Sequence, residues 1–500
     1  MTVPAAQRDV ARFLSTLSGS PASETHISAV FVGGDTVWKL KKAVRLPFLD
    51  FTSIDARHHF LMRELELNKP AAPGIYRDIV AVVRTPDGTL AINAEGAAGA
   101  PVDWVLRMAR VPEPDFLDVI AERGALTPKL LDALGDCVAL YHARLPPISD
   151  WDSAAALLHT THGNADAARA AELPAAEVED WQRRIEAGLR THGPWLNERA
   201  ATGFVRRCHG DLHLGNLCLW QSEPVAFDAL EFDEAMATTD VGYDLAFLLM
   251  DLDHRVDRAA ANRVMNRYLA RTGDVSAMRG LPLFLSERAM IRAHVSASSD
   301  RKDAIRPYLT AAHQYLSPPP ALVLAIGGLQ GSGKSTLARL LAPDLGAAPG
   351  AVVLRSDEIR KRLHEVSPEA RLPPNAYSDK ANAAVNAMLL DQARQVAEAG
   401  HVVILDATFI DPQMRRAAAA AARNASAPFV GVWLDVSLPE LEKRVAARRD
   451  DASDATLAVL RQAAATHAKP RDWLKLDGKD MALAVTGTRQ AIAARIAQPV

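Results

Sequence analysis

A chain of 500 residues is too long for one ordinary hydrophobic core and predicts two or three domains. Its 49% apolar and 23% charged content excludes a disordered chain, and 57 basic against 60 acidic residues, a formal net charge of −3, argue against broad wrapping of nucleic acid. Cys137, Cys208 and Cys218 have no C-x-x-C spacing, and neither a signal-peptide pattern nor a membrane-length apolar run is present, so the expectation is a reduced, cytoplasmic protein without a membrane partner.

In chain order, residues 25–45 predict two short strands joined at Gly33-Gly34-Asp35, and residues 55–69 predict a helix. One or two further strands are expected near 78–108, and Ala/Leu-rich helices from about 115 to 200. A loop-rich segment covers 207–234, and helices resume to 316. Strands first and helices later suggest a β-rich lobe (about 1–108) and a helical lobe (about 109–316) of one domain. Ser317-Pro318-Pro319-Pro320 cannot continue a helix and reads as a linker, which leaves 321–500 as a second domain.

The sharpest motif of the first domain is His209-Gly210-Asp211-Leu212-His213-Leu214-Gly215-Asn216, followed by Phe227-Asp228. Phosphoryl transfer to a hydroxyl needs a carboxylate beside the acceptor, which Asp211 is spaced to supply. It also needs side-chain oxygens for Mg²⁺, and Asn216 and Asp228 provide them. This set resembles the aminoglycoside phosphotransferase and choline kinase branch of the protein-kinase-like fold. The resemblance implies an α+β, two-lobed domain with Asp211 as base and Asn216 and Asp228 as metal ligands. It also implies that Val37 to Lys41 is the strand carrying the phosphate-binding lysine. Lys39 and Lys41 share one face of that strand, so either could serve; Lys39 is favoured, with Glu64 ahead of Glu66 as its helix partner. Val102 to Met108 resembles the hinge that holds adenine. The family's G-x-G-x-x-G loop is absent, and only Gly33-Gly34 stands in its place. The acids after Asp228, namely Glu231, Asp233, Glu234, Asp240 and Asp244, fit either a polycation site or ordinary helix caps and surface positions.

In the second domain, Gly328-Leu-Gln-Gly331-Ser332-Gly333-Lys334-Ser335 fits G-x-x-x-x-G-K-[ST], and the helix that follows begins at Thr336. Glycines let backbone amides turn toward the phosphates of ATP, Lys334 adds charge, and the Ser335 hydroxyl reaches Mg²⁺. Apolar runs 321–326, 351–354, 401–405 and 429–434, separated by helices, predict an α/β P-loop fold with a parallel sheet. Asp406 ends one run like a Walker B aspartate, and Asp357, followed by Arg360, is placed to deprotonate a substrate hydroxyl. Arg444 and Arg448 lie on an arginine-rich helix that reads as a lid over the transferring phosphoryl group. This part resembles small-molecule and polynucleotide kinases of the P-loop class, the zeta-toxin-like and gluconate-kinase-like proteins among them. The whole resembles bacterial proteins that fuse an aminoglycoside-phosphotransferase-like domain to an ATP-binding domain.

The expected function is therefore ATP- and Mg²⁺-dependent phosphoryl transfer at two sites to small-molecule hydroxyl acceptors, without nucleic acid as partner. Two alternatives stand beside it. In one, the first domain is a non-catalytic ligand sensor; in the other, the second domain phosphorylates polynucleotide 5′-hydroxyls. Neither the acceptor nor the oligomeric state is encoded in a motif.

Overall fold

The computed structural model describes residues 3–46, 49–93, 100–297, 302–447, 452–466 and 469–497. Two compact units emerge: Met1–Ala133, Leu140–Ala156 and Asn197–Asp244 form the first, and Leu134–Ala139, Leu157–Leu196 and Leu245–Val500 form the second. The proline segment expected to separate two domains thus lies inside the second unit.

The first unit is built on a six-stranded antiparallel sheet in the order β1-β2-β3-β6-β4-β5. Its strands are β1 (Ser23–Glu24), β2 (Ser28–Gly33), β3 (Thr36–Lys41), β4 (Tyr76–Arg84), β5 (Leu90–Asn93) and β6 (Pro101–Ala109). Alternation sends neighbouring residues to opposite faces. Val80 and Val105 pack with Phe31, Leu40 and the α1 (Arg8–Ser18) residues Val10 and Leu14. Ile79 and Leu106 pack on the other face with Leu61 of α2 (Ile54–Asn68). The segment resembling an adenine hinge falls within β6, which is paired with β3 on one side and β4 on the other. A strand laddered on both edges has no amides left for a base, so any hinge must begin after Ala109, where β6 ends. The β2–β3 hairpin turns at Gly33–Thr36, where a Cβ on Gly33 would lie 2.4 Å from the Ser18 carbonyl oxygen. A tight turn packed on α1 replaces a glycine-rich loop. A two-stranded ribbon of β7 (Leu217–Trp220) and β8 (Glu223–Ala226) follows the 207–216 segment, and the first turn of α3 (Val241–Arg255) closes the unit.

The second unit carries a five-stranded, all-parallel sheet in the order β10-β11-β9-β12-β13. The strands are β9 (Leu322–Gly327), β10 (Val352–Arg355), β11 (Val402–Asp406), β12 (Phe429–Asp435) and β13 (Leu474–Asp477). β9 and β11 are buried along their whole length, which is why they read as unbroken apolar runs. The C-terminal ends of β9, β10 and β11 deliver the phosphate loop, Arg355 and Asp406 to one edge. β10 is an edge strand, and α4 (Arg258–Thr272) covers its open side. Asn266 Oδ1 accepts from Val353 N at 2.7 Å, and the Nδ2 atoms of Asn262 and Asn266 donate to Ala351 O. This amide ladder is the physical reason that residues 245–316 join the parallel sheet in one unit. Among the described residues no helix is long and apolar enough to cross a membrane.

Candidate active sites

In the first unit the period-2 geometry of β3 puts Lys39 and Lys41 on one side, and both reach Glu64 of α2. The Ser53 hydroxyl caps that helix by accepting from Ala56 N. Glu64 is fully buried and divides its oxygens, Oε1 at 2.7 Å from Lys39 Nζ and Oε2 at 2.8 Å from Lys41 Nζ. Burial works to raise the Glu64 pKa, yet the two ammonium groups overcome it and hold the carboxyl at about 2. Lys39 also touches Asp228 Oδ1 at 2.6 Å, whereas Lys41 pairs with Glu231 and is wholly enclosed. Of the two lysines that sequence could not separate, Lys39 is the one beside Asp228.

Asp228 follows β8 with a φ of 61°, a left-handed backbone that costs about 1–3 kcal/mol and must be held in place. Its N–H donates to Tyr76 Oη at 2.9 Å, and the next N–H, of Ala229, donates to Asn68 Oδ1. His209 joins this turn to the loop bearing Asp211: its Nε2 lies 2.9 Å from Phe227 O, and its Nδ1 accepts from Asp211 N. Burial lowers the His209 pKa, which keeps the imidazole neutral and able to do both. Asp244, on α3, accepts from Gly210 N at 2.8 Å and from His209 N, and His142 Nε2 lies 3.1 Å from it. Asn216 Nδ2 donates to both the backbone oxygen and Oδ2 of Asp211, each at 2.9 Å. Asp211, Asn216, Asp228, Lys39 and Glu64 are thus brought into one connected cluster.

The acids after Asp228 do not assemble an acceptor site. Glu231 and Asp244 serve the contacts above, Asp240 pairs with Arg199, Asp233 caps Met236 N, and Glu234 meets Arg63 and Arg207. Of the two readings open for them, the structural one holds.

In the second unit the loop between β9 and α5 (Lys334–Leu341) uses left-handed glycines at Gly331 (φ 85°) and Gly333 (φ 99°). A Cβ on Gly328 would stand 2.6 Å from Ser332 Oγ and 2.9 Å from Leu434 O, so only glycine fits there. Lys334 Nζ donates to Gly328 O and Leu329 O at 3.0 and 3.1 Å, arching over the loop. The Ser332 hydroxyl and Gln330 Oε1 are buried without a hydrogen-bond partner among the described residues. Ser335 Oγ lies 2.5 Å from Asp406 Oδ2, the contact expected of a hydroxyl and a carboxylate sharing one cation shell. Thr336 follows on the first turn of α5. The closed glycine cradle, the arched lysine and this oxygen pair fit a nucleotide with its divalent metal.

Lys334, Ser335, Asp357, Arg360, Tyr377 and Asp406 line one cavity of about 1040 Å³. Asp357 opens α6 (Ser356–Leu363), and its pKa is raised by burial and by Asp406 against the pull of Arg355. Arg355, which sequence reasoning missed, lies 3.3 Å from Asp406 Oδ2 and 2.8 Å from Glu358 Oε1. Its position as the last residue of β10 was the available signal. Arg444, expected to reach a phosphate from a lid, does not line the cavity. On α9 (Leu438–Ala447, after α7 Asp379–Glu398 and α8 Pro412–Asn424), it binds Glu440, Gly331 O and Gly478 O. It is a brace for the phosphate loop, because the helix passes too close to Gly331 to let the guanidinium swing inward. Arg448 lies outside the described residues.

Residues 96–281 match the model of the phosphotransferase enzyme family, and residues 323–470 match that of an AAA domain. The chain therefore joins a phosphotransferase-family domain to a P-loop kinase-like domain. Uncharacterized proteins of Mycobacterium tuberculosis and Mycobacterium bovis are 28% identical over 467 residues, 90% of each chain. Among solved structures, a choline/ethanolamine kinase family protein from Mesorhizobium loti covers 62% of this chain and 95% of its own at 12% identity and a TM-score of 0.38. The APS kinase CysC of Mycobacterium tuberculosis, in complex with AMPPNP and APS, covers 35% and 99% at 22% identity and 0.28.

Proposed function

We propose that this phosphotransferase has two ATP sites, one in each unit, and that both pass the γ-phosphoryl group to hydroxyls of small molecules. The observation that carries the proposal is the recurrence of one functional set in both units. Each has a lysine for phosphate (Lys39, Lys334), oxygens for Mg²⁺ (Asn216 with Asp228, Ser335 with Asp406) and a further carboxylate for the acceptor (Asp211, Asp357).

In the first unit, Asp211 receives the proton of the acceptor hydroxyl as its oxygen bonds to the γ-phosphorus and the bond to ADP breaks. Asn216 fixes the Asp211 carboxylate through Oδ2, and His209 fixes its backbone, so the base needs no reorganisation during transfer. Lys39, positioned by Glu64, faces the phosphates. In the second unit, Asp357 takes the proton, and its raised pKa brings it nearer to the working range of a base. Lys334 and the loop amides hold the β- and γ-phosphates there. Mg²⁺, when bound, neutralises charge on the transferring group at either site.

A second reading rests on the hairpin at Gly33–Thr36, whose packing against Ser18 leaves no glycine-rich cover for phosphates. In that reading the first unit senses a ligand and regulates the second. Calorimetry with Mg²⁺ and a non-hydrolysable ATP analogue separates the two, using wild type, Lys334→Ala and Asp228→Ala. Two sites, each lost with its own substitution, support the double kinase. One site, lost only with Lys334→Ala, leaves the sensor.

A further inference from the structure

Arg360 is 7% exposed, yet every contact its guanidinium makes is with a neutral group. One Nη donates to Ala376 O at 2.6 Å, the other to Asn382 Oδ1 at 2.9 Å, and Cζ lies 4.7 Å from the centre of the Tyr377 ring. Its Nε is buried and has no hydrogen-bond partner among the described residues. Other buried cations are treated differently. Arg57 pairs with Asp103, Arg199 with Asp240, Lys41 with Glu64 and Lys361 with Asp454. Removing a guanidinium from water without a counter-charge is costly, and a folded chain keeps such a group only where something else neutralises it.

The acids of the same cavity do not supply that charge. Asp406 is taken by Ser335 and Arg355. Asp454 is taken by Lys361 and the Tyr377 hydroxyl. Asp411 caps α8 through Gln413 N. Asp357 lines the cavity alongside Arg360 but forms no ion pair with it among the described residues. One side of the cavity therefore offers a carboxylate able to take a hydroxyl proton, and another offers an uncompensated cation with an N–H to give.

We propose that Arg360 is the anion-recognition residue of the second site, so that its acceptor carries an oxyanion (carboxylate, sulfate or phosphate) besides the hydroxyl that is phosphorylated. This deepens the kinase reading of the second unit and rests on it. The acceptor's anionic group receives Nε–H and faces the guanidinium that the fold has left unpaired. Tyr377 and Asn382 hold that guanidinium flat and fixed, so that little side-chain freedom is lost on binding.

The test is calorimetry on the full chain saturated with Mg²⁺ and a non-hydrolysable ATP analogue, titrated with sulfate in one arm and acetate in the other. The wild type should bind at least one of the two. Arg360→Gln should weaken that binding at least tenfold. Asn382→Asp sets a carboxylate beside the guanidinium without emptying the cavity, and should weaken it by a similar factor; it also answers the question if Arg360→Gln fails to fold. Preference for sulfate assigns a phosphate- or sulfate-bearing acceptor, and preference for acetate a carboxylate. Equal binding in wild type and both variants, or none in the wild type, overturns the proposal. Nucleotide binding is read first and separately: its absence at the phosphate loop would sink the kinase reading, while the Arg360-dependent part of anion binding still decides the anion site.

Discussion

Lys39 Nζ lies 2.6 Å from Asp228 Oδ1, so the lysine proposed to face phosphate is ion-paired to the aspartate proposed to hold the metal. Each neutralises the other until a nucleotide and its cation supply both with new partners. Lys39→Met should then lower turnover at the first site by roughly 10²–10³, the scale of losing one preorganised charge contact. Stability should change little, because Glu64 keeps Lys41 at 2.8 Å. Turnover measured in a Lys334→Ala background, with the melting temperature as control, checks this. An unimpaired first site would remove Lys39 from the phosphate role.

The neighbouring lysine should behave in the opposite way. Lys41 is fully enclosed between Glu64 and Glu231. Lys41→Met leaves buried carboxylates short of a cation, and breaking such a pair from one side costs about 3–5 kcal/mol. A marked fall in denaturant midpoint is expected, together with loss of nucleotide binding only as the fold fails. A Lys41→Met chain as stable as wild type would mean that the two lysines exchange roles freely.

That contrast marks what the sequence made legible. The strand lysines and Glu64 were readable because a strand followed by a helix leaves few ways to pair them, and the phosphate loop because its glycines are demanded by backbone geometry. Glu231 was not readable as a lysine partner, since 190 residues separate it from Lys41 and burial alone distinguishes it from its acidic neighbours. Arg444 looked like a lid cation because helix periodicity says nothing about which carbonyls lie opposite. The proline run looked like a seam because no local signal reveals that α4 would complete an edge strand 85 residues further on.

Asn266 gives that last contact a measurable consequence. Its amide bonds Val353 N and Ala351 O, the donor and acceptor that β10 would offer a further strand. Asn266→Asp keeps the acceptor but sets a carboxylate against Ala351 O, leaving that oxygen short of a donor; a loss of about 1–3 kcal/mol is expected. Because β10 leads straight into Arg355 and Asp357, the Michaelis constant of the second site should rise as well. Unchanged stability would show that α4 and β10 touch without supporting one another.

The second site should carry a pH signature set by Arg355. Burial raises the Asp357 carboxyl above its ordinary value, Arg355 pulls it down and Asp406 pushes it up. A base must be deprotonated, so the acid limb of activity should lie above the range of a free aspartate. Arg355→Gln removes the cation that favours the carboxylate, and the limb should move to higher pH. A limb that moves down, or stays, would mean that Asp357 is not the group being titrated.

The last prediction concerns Glu287, buried in the second unit, whose carboxyl is pushed up to about 7 by burial against the smaller pull of Thr161, Asn164 and Arg288. The contacts suit a protonated acid. The Thr161 hydroxyl, with a single proton, already has Leu157 O at 2.8 Å to donate to, so at 2.5 Å it can accept from Glu287, while Asn164 Nδ2 donates to the other oxygen. The folded chain therefore keeps a proton that the unfolded chain releases near pH 4.5. Its stabilising effect is complete below that value and is lost as pH rises through about 7, an effect of order 3 kcal/mol at most for a gap of this size. Glu287→Gln reproduces the protonated form, its Nε2 donating to Thr161 and its Oε1 accepting from Asn164. Wild type should lose stability between pH 5 and pH 8 (about the range that spans this titration), and the glutamine variant should lose less and be the more stable of the two at the upper end. Parallel unfolding curves for the two proteins across that range would show that Glu287 stays ionised in the fold.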